Sequence, residues 1–167
     1  MVVELISVGT EILMGNILNS NTQYLAEKCA LLGLDQYYQV TVGDNYGRMM
    51  ETVKRALDRS DIVILTGGLG PTEDDLTKEV CAEAMEMELV EDPHTRSQLE
   101  AFFAGNIYKE IPDNNWKMAM VPQGAVVLDN PNGMAPGLIL EKNGKTAILL
   151  PDPPNELYPL FEGQVFP

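Results

Sequence analysis

Positive charge is scarce in this sequence, which has 11 lysines and arginines against 25 aspartates and glutamates, for a net charge of −14. A chain this acidic repels nucleic acids and acidic membrane surfaces, so neither is expected as a partner. Any anionic ligand must be held locally, by helix N-termini, by a few basic side chains or by a bound cation.

Cysteine is also rare, and the two cysteines, Cys29 and Cys81, are far apart and form no CxxC pair. Each falls within a helical pattern of apolar residues, which predicts reduced, buried thiols rather than a disulfide or a metal site. No run of residues is apolar enough and long enough to span a bilayer, and no basic segment at the N-terminus leads into a signal sequence. We therefore expect a cytoplasmic protein.

The first half of the chain alternates strand patterns with helical ones. Strands are predicted at residues 2–8, 34–42 and 61–66, and helices at about 21–32, at 46–59 and from Thr72 onward. The third strand is continuously apolar, as is typical of parallel strands that are covered on both faces. This β-α-β-α-β order predicts an α/β domain with a mostly parallel sheet.

Three features of the helices and of the second half of the chain are expected from local patterns. The first helix is expected to bury Leu25, Cys29 and Leu32. A helix that begins at Pro93 is expected to bury Leu99, Phe102 and Phe103. Residues 137–150 are expected to form a β-hairpin, because the Asn-Gly pair at their centre is a strong signal for a type I′ turn.

The most informative stretch is residues 62–75, where an apolar strand ends in three glycines and three acidic residues follow at once. Glycines after a strand let the backbone approach a ligand closely, and their N–H groups can point at an anion. Carboxylates beside such a loop would repel a phosphate unless a metal ion stood between them. The stretch therefore predicts a metal-assisted phosphate site.

The glycine loop matches neither of two common phosphate-binding motifs. No lysine follows a glycine as GxxxxGK[ST] requires, and Glu73 stands where GxGxxG would place its last glycine. What remains is a junction of strand, glycines and helix, whose N-terminal N–H groups and dipole favour an anion.

Helix capping can account for part of the acidic run. Thr72 and Asp75 stand in a capping-box-like relation, and acids in a first turn complement the helix dipole by ~0.3–1 kcal/mol each. Three acids beside three glycines exceed what capping needs, so we prefer a ligand or metal role, with Asp74 as the first choice for a Mg²⁺ ligand. Lys78, on the next turn, could face a phosphate or pair with Asp74 or Asp75 in solvent.

Other strand ends are expected to converge on this loop, because ligands of open parallel sheets bind beyond the carboxyl ends of the strands. Gly9, Thr10 and Glu11 follow the first strand, and Asp44 follows the second. Asp44 can be either a helix cap or a site carboxylate. His94, the single histidine, is expected to be solvated rather than catalytic.

Three segments of the chain resemble the N-terminal domain of the CinA (competence/damage-inducible protein) family. They are residues 7–21, which begin Ser-Val-Gly-Thr-Glu, residues 42–45 and residues 66–77. The resemblance covers nearly all of the chain and extends to the MogA/MoaB-like molybdopterin-binding superfamily, whose fold is a three-layer α/β sandwich. It implies one such domain over residues 1–167, with a C-terminal β-hairpin, without the deamidase domain of full-length members, and assembled as a homo-oligomer, a dimer or trimer.

The resemblance also implies a function. CinA-type N-terminal domains are associated with hydrolysis of ADP-ribose to AMP and ribose 5-phosphate that depends on Mg²⁺ and K⁺, whereas the cofactor-biosynthesis members of the superfamily bind molybdopterin. The residues expected to act in catalysis are Asp44, Asp74 and Lys78, and those expected to bind the metal are Asp74 and Asp75. The residues expected to bind the ligand are Gly9, Thr10, Glu11, Gly67, Gly68, Gly70, Thr72, Asp75 and Asn115.

Two positions depart from the pattern of that family. Met118 stands where the family usually has glutamine, and Asp152 replaces the glycine of a Leu-Pro-Gly-Pro-Pro segment. The second change removes a residue that lets backbone approach a ligand, and it adds negative charge. Two alternatives to the hydrolase therefore stay open, a non-catalytic receptor for a nucleotide or molybdopterin and a mainly structural oligomerisation domain.

Overall fold

A computed structural model describes residues 1–105 and 112–166 of the chain. Its strands are β1 (Val2–Val8), β2 (Asp35–Val42), β3 (Ile62–Thr66), β4 (Leu89–Glu91), β5 (Met120–Pro122), β6 (Val126–Leu128), β7 (Gly137–Lys142) and β8 (Lys145–Leu150). Its α-helices are α1 (Thr10–Leu13), α2 (Ser20–Leu31), α3 (Tyr46–Arg59), α4 (Thr77–Ala84), α5 (Pro93–Ala104) and α6 (Pro154–Leu160). A 3₁₀-helix covers Asp113–Ala119, and a π-helix at Phe161–Val165 continues α6.

Six strands form one mixed sheet in the order β2-β1-β3-β8-β7-β6. Strands β2, β1, β3 and β8 are parallel to one another, and β7 and β6 complete the sheet in antiparallel pairing. The predicted hairpin is confirmed as β7 and β8, and Asn143 and Gly144 have the positive φ angles, 53° and 76°, of a type I′ turn. The hairpin is an integral part of the sheet, because β8 lies beside β3 and continues its parallel half.

Helices cover both faces of this sheet. On one face α3 and α4 bury a cluster that includes Met49, Val53, Val80 and Cys81, and on the other α2 and α6 bury Leu25, Cys29, Leu157 and Leu160. Alternate residues of β3 supply both clusters, which explains why its sequence is continuously apolar. The three-layer α/β sandwich is confirmed, and both cysteines are free and buried as predicted.

Two predicted core residues lie at the surface instead. Leu32 is the C-cap of α2 and Phe102 lies near the end of α5, and each side chain is 46% exposed. Leu99, one turn earlier in α5, is buried as expected. Within the described ranges, no helix combines the length and the apolar character needed to cross a membrane.

The helix predicted to start at Thr72 starts at Thr77. The N–H and hydroxyl of Thr72 both donate to Oδ2 of Asp75, at 3.0 and 2.7 Å. The bond from the Thr72 N–H to the Asp75 side chain is one of the two hydrogen bonds of a capping box. Here it closes a turn in the loop before the helix. The predicted start of α4 is therefore wrong, because the hydrogen bonds between Thr72 and Asp75 can close a turn as well as cap a helix.

Gly67 sits where three strand ends come together. Its φ is +92°, and a Cβ there would lie 2.5 Å from the carbonyl oxygen of Val8 at the end of β1. Its N–H donates to the carbonyl oxygen of Leu150, at the end of β8, over 3.0 Å. Because the opposing atom belongs to the backbone, no side-chain rotation can relieve the contact. Glycine is required here to join β1, β3 and β8.

Replacing Gly67 by alanine is expected to destabilise the domain by about 3 kcal/mol or more, because a left-handed conformation and a backbone clash are imposed together. Gly144→Ala is the matched control: φ is +76° there, but nothing lies within 4 Å of the new Cβ. It should cost only ~1–2 kcal/mol. Urea unfolding followed by circular dichroism measures both, and equal losses in the two variants would contradict the close-approach argument.

Candidate functional site

The carboxyl ends of β1, β2, β3 and β8 meet at one edge of the sheet and enclose an acidic cleft of about 270 Å³. Its five carboxylates belong to Glu11, Asp44, Asp74, Asp75 and Asp152. The first four are sequence-predicted site residues from the first three strand ends, and the structure brings them together. The fourth strand end adds Asp152.

A second cavity, of about 390 Å³ and mostly apolar, adjoins the acidic cleft. Its apolar walls come from Leu69, Pro71, Phe102, Met118, Met134, Ala135, Pro151 and Pro153. The two cavities share Gly67, Gly68, Asp75 and Asp152. A ligand with a flat ring at one end and a charged group at the other can therefore extend through both.

The backbone of the glycine loop is available to a ligand. Within residues 1–105 and 112–166, no protein oxygen accepts a hydrogen bond from the N–H of Gly68, Leu69 or Gly70. Gly68 lines both cavities, and Gly70 lines the apolar one. Such N–H groups are suited to phosphate or carboxylate oxygens.

Lys117, on the 3₁₀-helix, holds the acidic loop in place. Its ammonium group donates to the carbonyl oxygens of Thr72, at 2.8 Å, and of Asp75. It also lies 3.8 Å from Oε1 of Glu79 on α4. Sequence reasoning missed this residue, because Thr72 and Lys117 are 45 positions apart and no local pattern joins them.

Lys78 lies behind this contact and does not reach the ligand cavities. Its buried ammonium donates to the carbonyl oxygen of Lys117 and is 4.0 Å from Oε1 of Glu79. Burial lowers the pKa of Lys78 to about 8, although Glu79 acts in the opposite direction. Neither sequence interpretation, contact with a phosphate or pairing with Asp74 or Asp75, describes this environment. Lys78 instead supports the backbone of Lys117.

The acids of the cleft differ in how they are engaged. Asp44 accepts from the N–H and hydroxyl of Thr10, at 3.4 and 3.3 Å, while Asn45 caps α3 by accepting from the N–H of Arg48 at 3.0 Å. Asp44 therefore belongs to the cleft and not to the helix cap. Asp74 is exposed, and its carboxylate has no hydrogen bond or ion pair with the described part of the chain.

Asp152 is held by a residue of α2. The side-chain amide of Asn21 donates to its carbonyl oxygen at 2.5 Å and to its Oδ1 at 3.2 Å. Burial and the negative charge of Glu11 raise the pKa of Asp152, against the effect of the Asn21 hydrogen bond. The signal for Asp152 in the sequence was its departure from the glycine of the resembling family.

The remaining predicted residues lie around this centre. Gly9 lines the cleft, and a Cβ on it would be 2.8 Å from Oε1 of Glu11. Asn115 is buried in the 3₁₀-helix and is not part of the lining of either cavity. His94 is exposed and pairs with Asp129 at 2.9 Å, a hydrogen bond that raises the pKa of His94.

The donor set of the cleft fits a hard cation such as Mg²⁺ or K⁺, because it consists of carboxylate oxygens without histidine or cysteine. No three acidic, histidine or cysteine side chains in the described ranges are placed to hold a metal ion by themselves. Mg²⁺ commonly binds through one or two carboxylates together with water and substrate phosphates. The cleft is therefore compatible with Mg²⁺ that arrives with a phosphate ligand.

Comparison with known proteins identifies the family. The family model described as "Probable molybdopterin binding domain" matches residues 4–167. A crystal structure of the protein CinA from Thermoplasma acidophilum superposes with a TM-score of 0.89 at 31% identity, over 96% of this chain and 93% of that one. The chain belongs to the molybdopterin-binding domain family as a CinA-type member.

Other similar proteins are consistent with this assignment to a family. A "Putative competence-damage inducible protein" of Caldicellulosiruptor bescii is 54% identical over the whole of this chain. The chain spans about 40% of the length of that relative and of other curated relatives it matches. MoaB of Thermus thermophilus, at 15% identity, shares the fold with a TM-score of 0.62 over 96% of this chain and 86% of that one.

The lowered pKa of Lys78 makes a prediction about stability. Between its folded pKa of about 8 and the ordinary value of 10.5, the unfolded chain binds more protons than the folded chain at this position. Folding is therefore favoured as the pH rises through this window. We expect the free energy of unfolding of the native chain minus that of Lys78→Met to rise by on the order of 1 kcal/mol per pH unit.

Urea unfolding at several pH values across this window measures the difference. Lys54→Met, at an exposed position of α3, is the matched control. The same pH dependence for both difference curves would contradict the assignment of a buried, titrating ammonium group to Lys78.

Proposed function

We propose that this CinA-type domain hydrolyses the pyrophosphate bond of ADP-ribose or a closely related nucleotide, with Mg²⁺ as cofactor. The observation that supports it best is the adjacency of an acidic cleft, a glycine loop and an apolar cavity at one sheet edge. In the reaction, the oxygen of water bonds to one phosphorus and the bridging P–O bond breaks. The bridging oxygen leaves with the other phosphate, which gives AMP and ribose 5-phosphate.

The loop after β3 provides the binding groups for the diphosphate. Asp74 and Asp75 would hold Mg²⁺, which when bound supplies the positive charge that the phosphates need beside so many carboxylates. The N–H of Gly68, which lines the acidic cleft, has no acceptor among residues 1–105 and 112–166 and can donate to a phosphate oxygen. Lys117 fixes this loop through two carbonyl oxygens, and Lys78 supports Lys117, so Lys78 is a positioning residue.

Asp44 is the candidate general base that takes the proton from the attacking water. It lines the cleft together with the glycine loop, and among the described residues its carboxylate accepts hydrogen bonds only from Thr10, over 3.4 and 3.3 Å. A carboxylate held this loosely can turn toward a water molecule within hydrogen-bonding distance of a bound phosphate.

A second candidate function is binding without turnover. It is favoured by the family description and by the MoaB-like fold, since the apolar cavity can hold a pterin ring as well as a purine. Thermal-shift measurements with AMP, ADP-ribose and molybdopterin separate the two candidates when they are combined with an assay for AMP. Stabilisation by a ligand without release of AMP from ADP-ribose selects the receptor.

Asp74→Asn is expected to lower the rate of AMP release from ADP-ribose by at least about 100-fold, because it removes a proposed ligand of the cation. Asp58→Asn is the matched control, since Asp58 is exposed on α3 and lines a cavity at the opposite edge of the sheet. Chromatography of the nucleotides during a Mg²⁺ titration measures both rates. A native chain that binds ADP-ribose but releases no AMP at any Mg²⁺ concentration would overturn the hydrolase.

A further inference from the structure

The junction between the acidic cleft and the apolar cavity has few side chains that can contact a ligand. Of the four residues shared by the two cavities, Gly67 and Gly68 have no side chain. Asp75 accepts from Thr72 through Oδ2, and it is already assigned above to the proposed cation. Asp152 keeps Oδ2 without a hydrogen-bond partner in residues 1–105 and 112–166. Asp152 is therefore the side chain best placed to contact a ligand at the junction.

The position of Asp152 is fixed from several sides. Asn21, buried in the first turn of α2, donates to both its carbonyl oxygen and Oδ1. Pro151 and Pro153 flank it and restrict the backbone of the segment. The Cβ of Asp152 lies 3.7 Å from the place that a Cβ on Gly67 would occupy, so Asp152 is next to the end of β3. A side chain held in this way can distinguish between ligands.

The chemistry of the junction indicates which part of a ligand lies there. In a nucleotide that places its base in the apolar cavity and its phosphates in the acidic cleft, the ribose lies between them. A free carboxylate oxygen at this place repels phosphate, but it accepts hydrogen bonds from the hydroxyls of a ribose, as acidic residues do in dinucleotide-binding folds. The ribose is therefore the part of a nucleotide that suits the carboxylate at the junction.

We propose that Asp152 binds the ribose hydroxyls of a nucleotide and makes this domain select ribonucleotides over their deoxy analogues. The proposal rests on the proposed function only in that the ligand is a nucleotide, and it does not require hydrolysis. The residue is the position at which this sequence departs from the glycine that the resemblance implies. Burial and Glu11 raise the pKa of Asp152, which makes its carboxylate a stronger hydrogen-bond acceptor.

Isothermal titration of the native chain with AMP, 2′-deoxy-AMP and 3′-deoxy-AMP, in the presence of Mg²⁺, tests the proposal. We expect AMP to bind about 10- to 100-fold more tightly than at least one deoxy analogue, the range for a hydrogen bond to a charged group. Asp152→Gly should reduce this ratio to about twofold or less, and Asp152→Asn, which keeps one acceptor oxygen, should retain part of it. Asp58→Asn should leave the ratio unchanged, and thermal melting of each variant checks that it folds.

The outcomes separate this proposal from the proposed hydrolase. A ribose preference in a chain that releases no AMP from ADP-ribose supports the role of Asp152 and overturns only the hydrolase. Equal binding of the three nucleotides by the native chain, or no binding of any, overturns the role of Asp152. A preference that persists in a folded Asp152→Gly variant overturns it too, as does a changed Mg²⁺ requirement with an unchanged ratio, since the carboxylate would then serve the cation.

Discussion

The parallel pairing of β8 with β3 is the constraint on which the candidate site depends. Thr66 pairs with Leu150 at the end of this ladder, and the N–H of Gly67 extends it by donating to the carbonyl oxygen of Leu150. Because β8 runs parallel to β3, the chain after β8 emerges at the edge that carries the glycine loop. Asp152 and its flanking prolines thereby reach the acidic cleft. An antiparallel β8 would place them at the opposite edge of the sheet.

Five carboxylates around one cleft repel one another, so the loop that carries two of them needs support that does not neutralise them. Lys117 provides it, because its ammonium donates to the carbonyl oxygens of Thr72 and Asp75 and not to the carboxylates of the cleft. Lys78 in turn donates to the carbonyl oxygen of Lys117. The ammonium groups of Lys117 and Lys78 thus fix the backbone through its carbonyl oxygens, and the carboxylates of the cleft remain available to a cation.

The sequence was sufficient where the signal is local. The apolar run of β3, the helical pattern over residues 46–59 and the Asn-Gly turn between β7 and β8 depend on neighbouring residues, and all three elements are present. The start of α4 was placed five residues too early, because Thr72 and Asp75 pair in the same way in a turn and in a helix cap. Strands β4 and β5 were missed, since each has three residues and their pairing joins distant segments.

In the site, too, the residues that follow from local patterns could be predicted, and the contacts between distant residues could not. Glu11 and Asp44 were expected at the edge of the glycine loop because parallel strands end together, whereas the contact of Lys78 with Lys117 joins residues 39 positions apart and leaves no pattern in the sequence. The interpretation of Asp152 depends on both local and distant information. Its replacement of a family glycine is visible in the sequence, but its meaning comes from the sheet. Under our proposal, glycine at the junction of the two cavities would offer no side chain to a sugar, whereas a fixed carboxylate would favour a sugar that can donate hydrogen bonds.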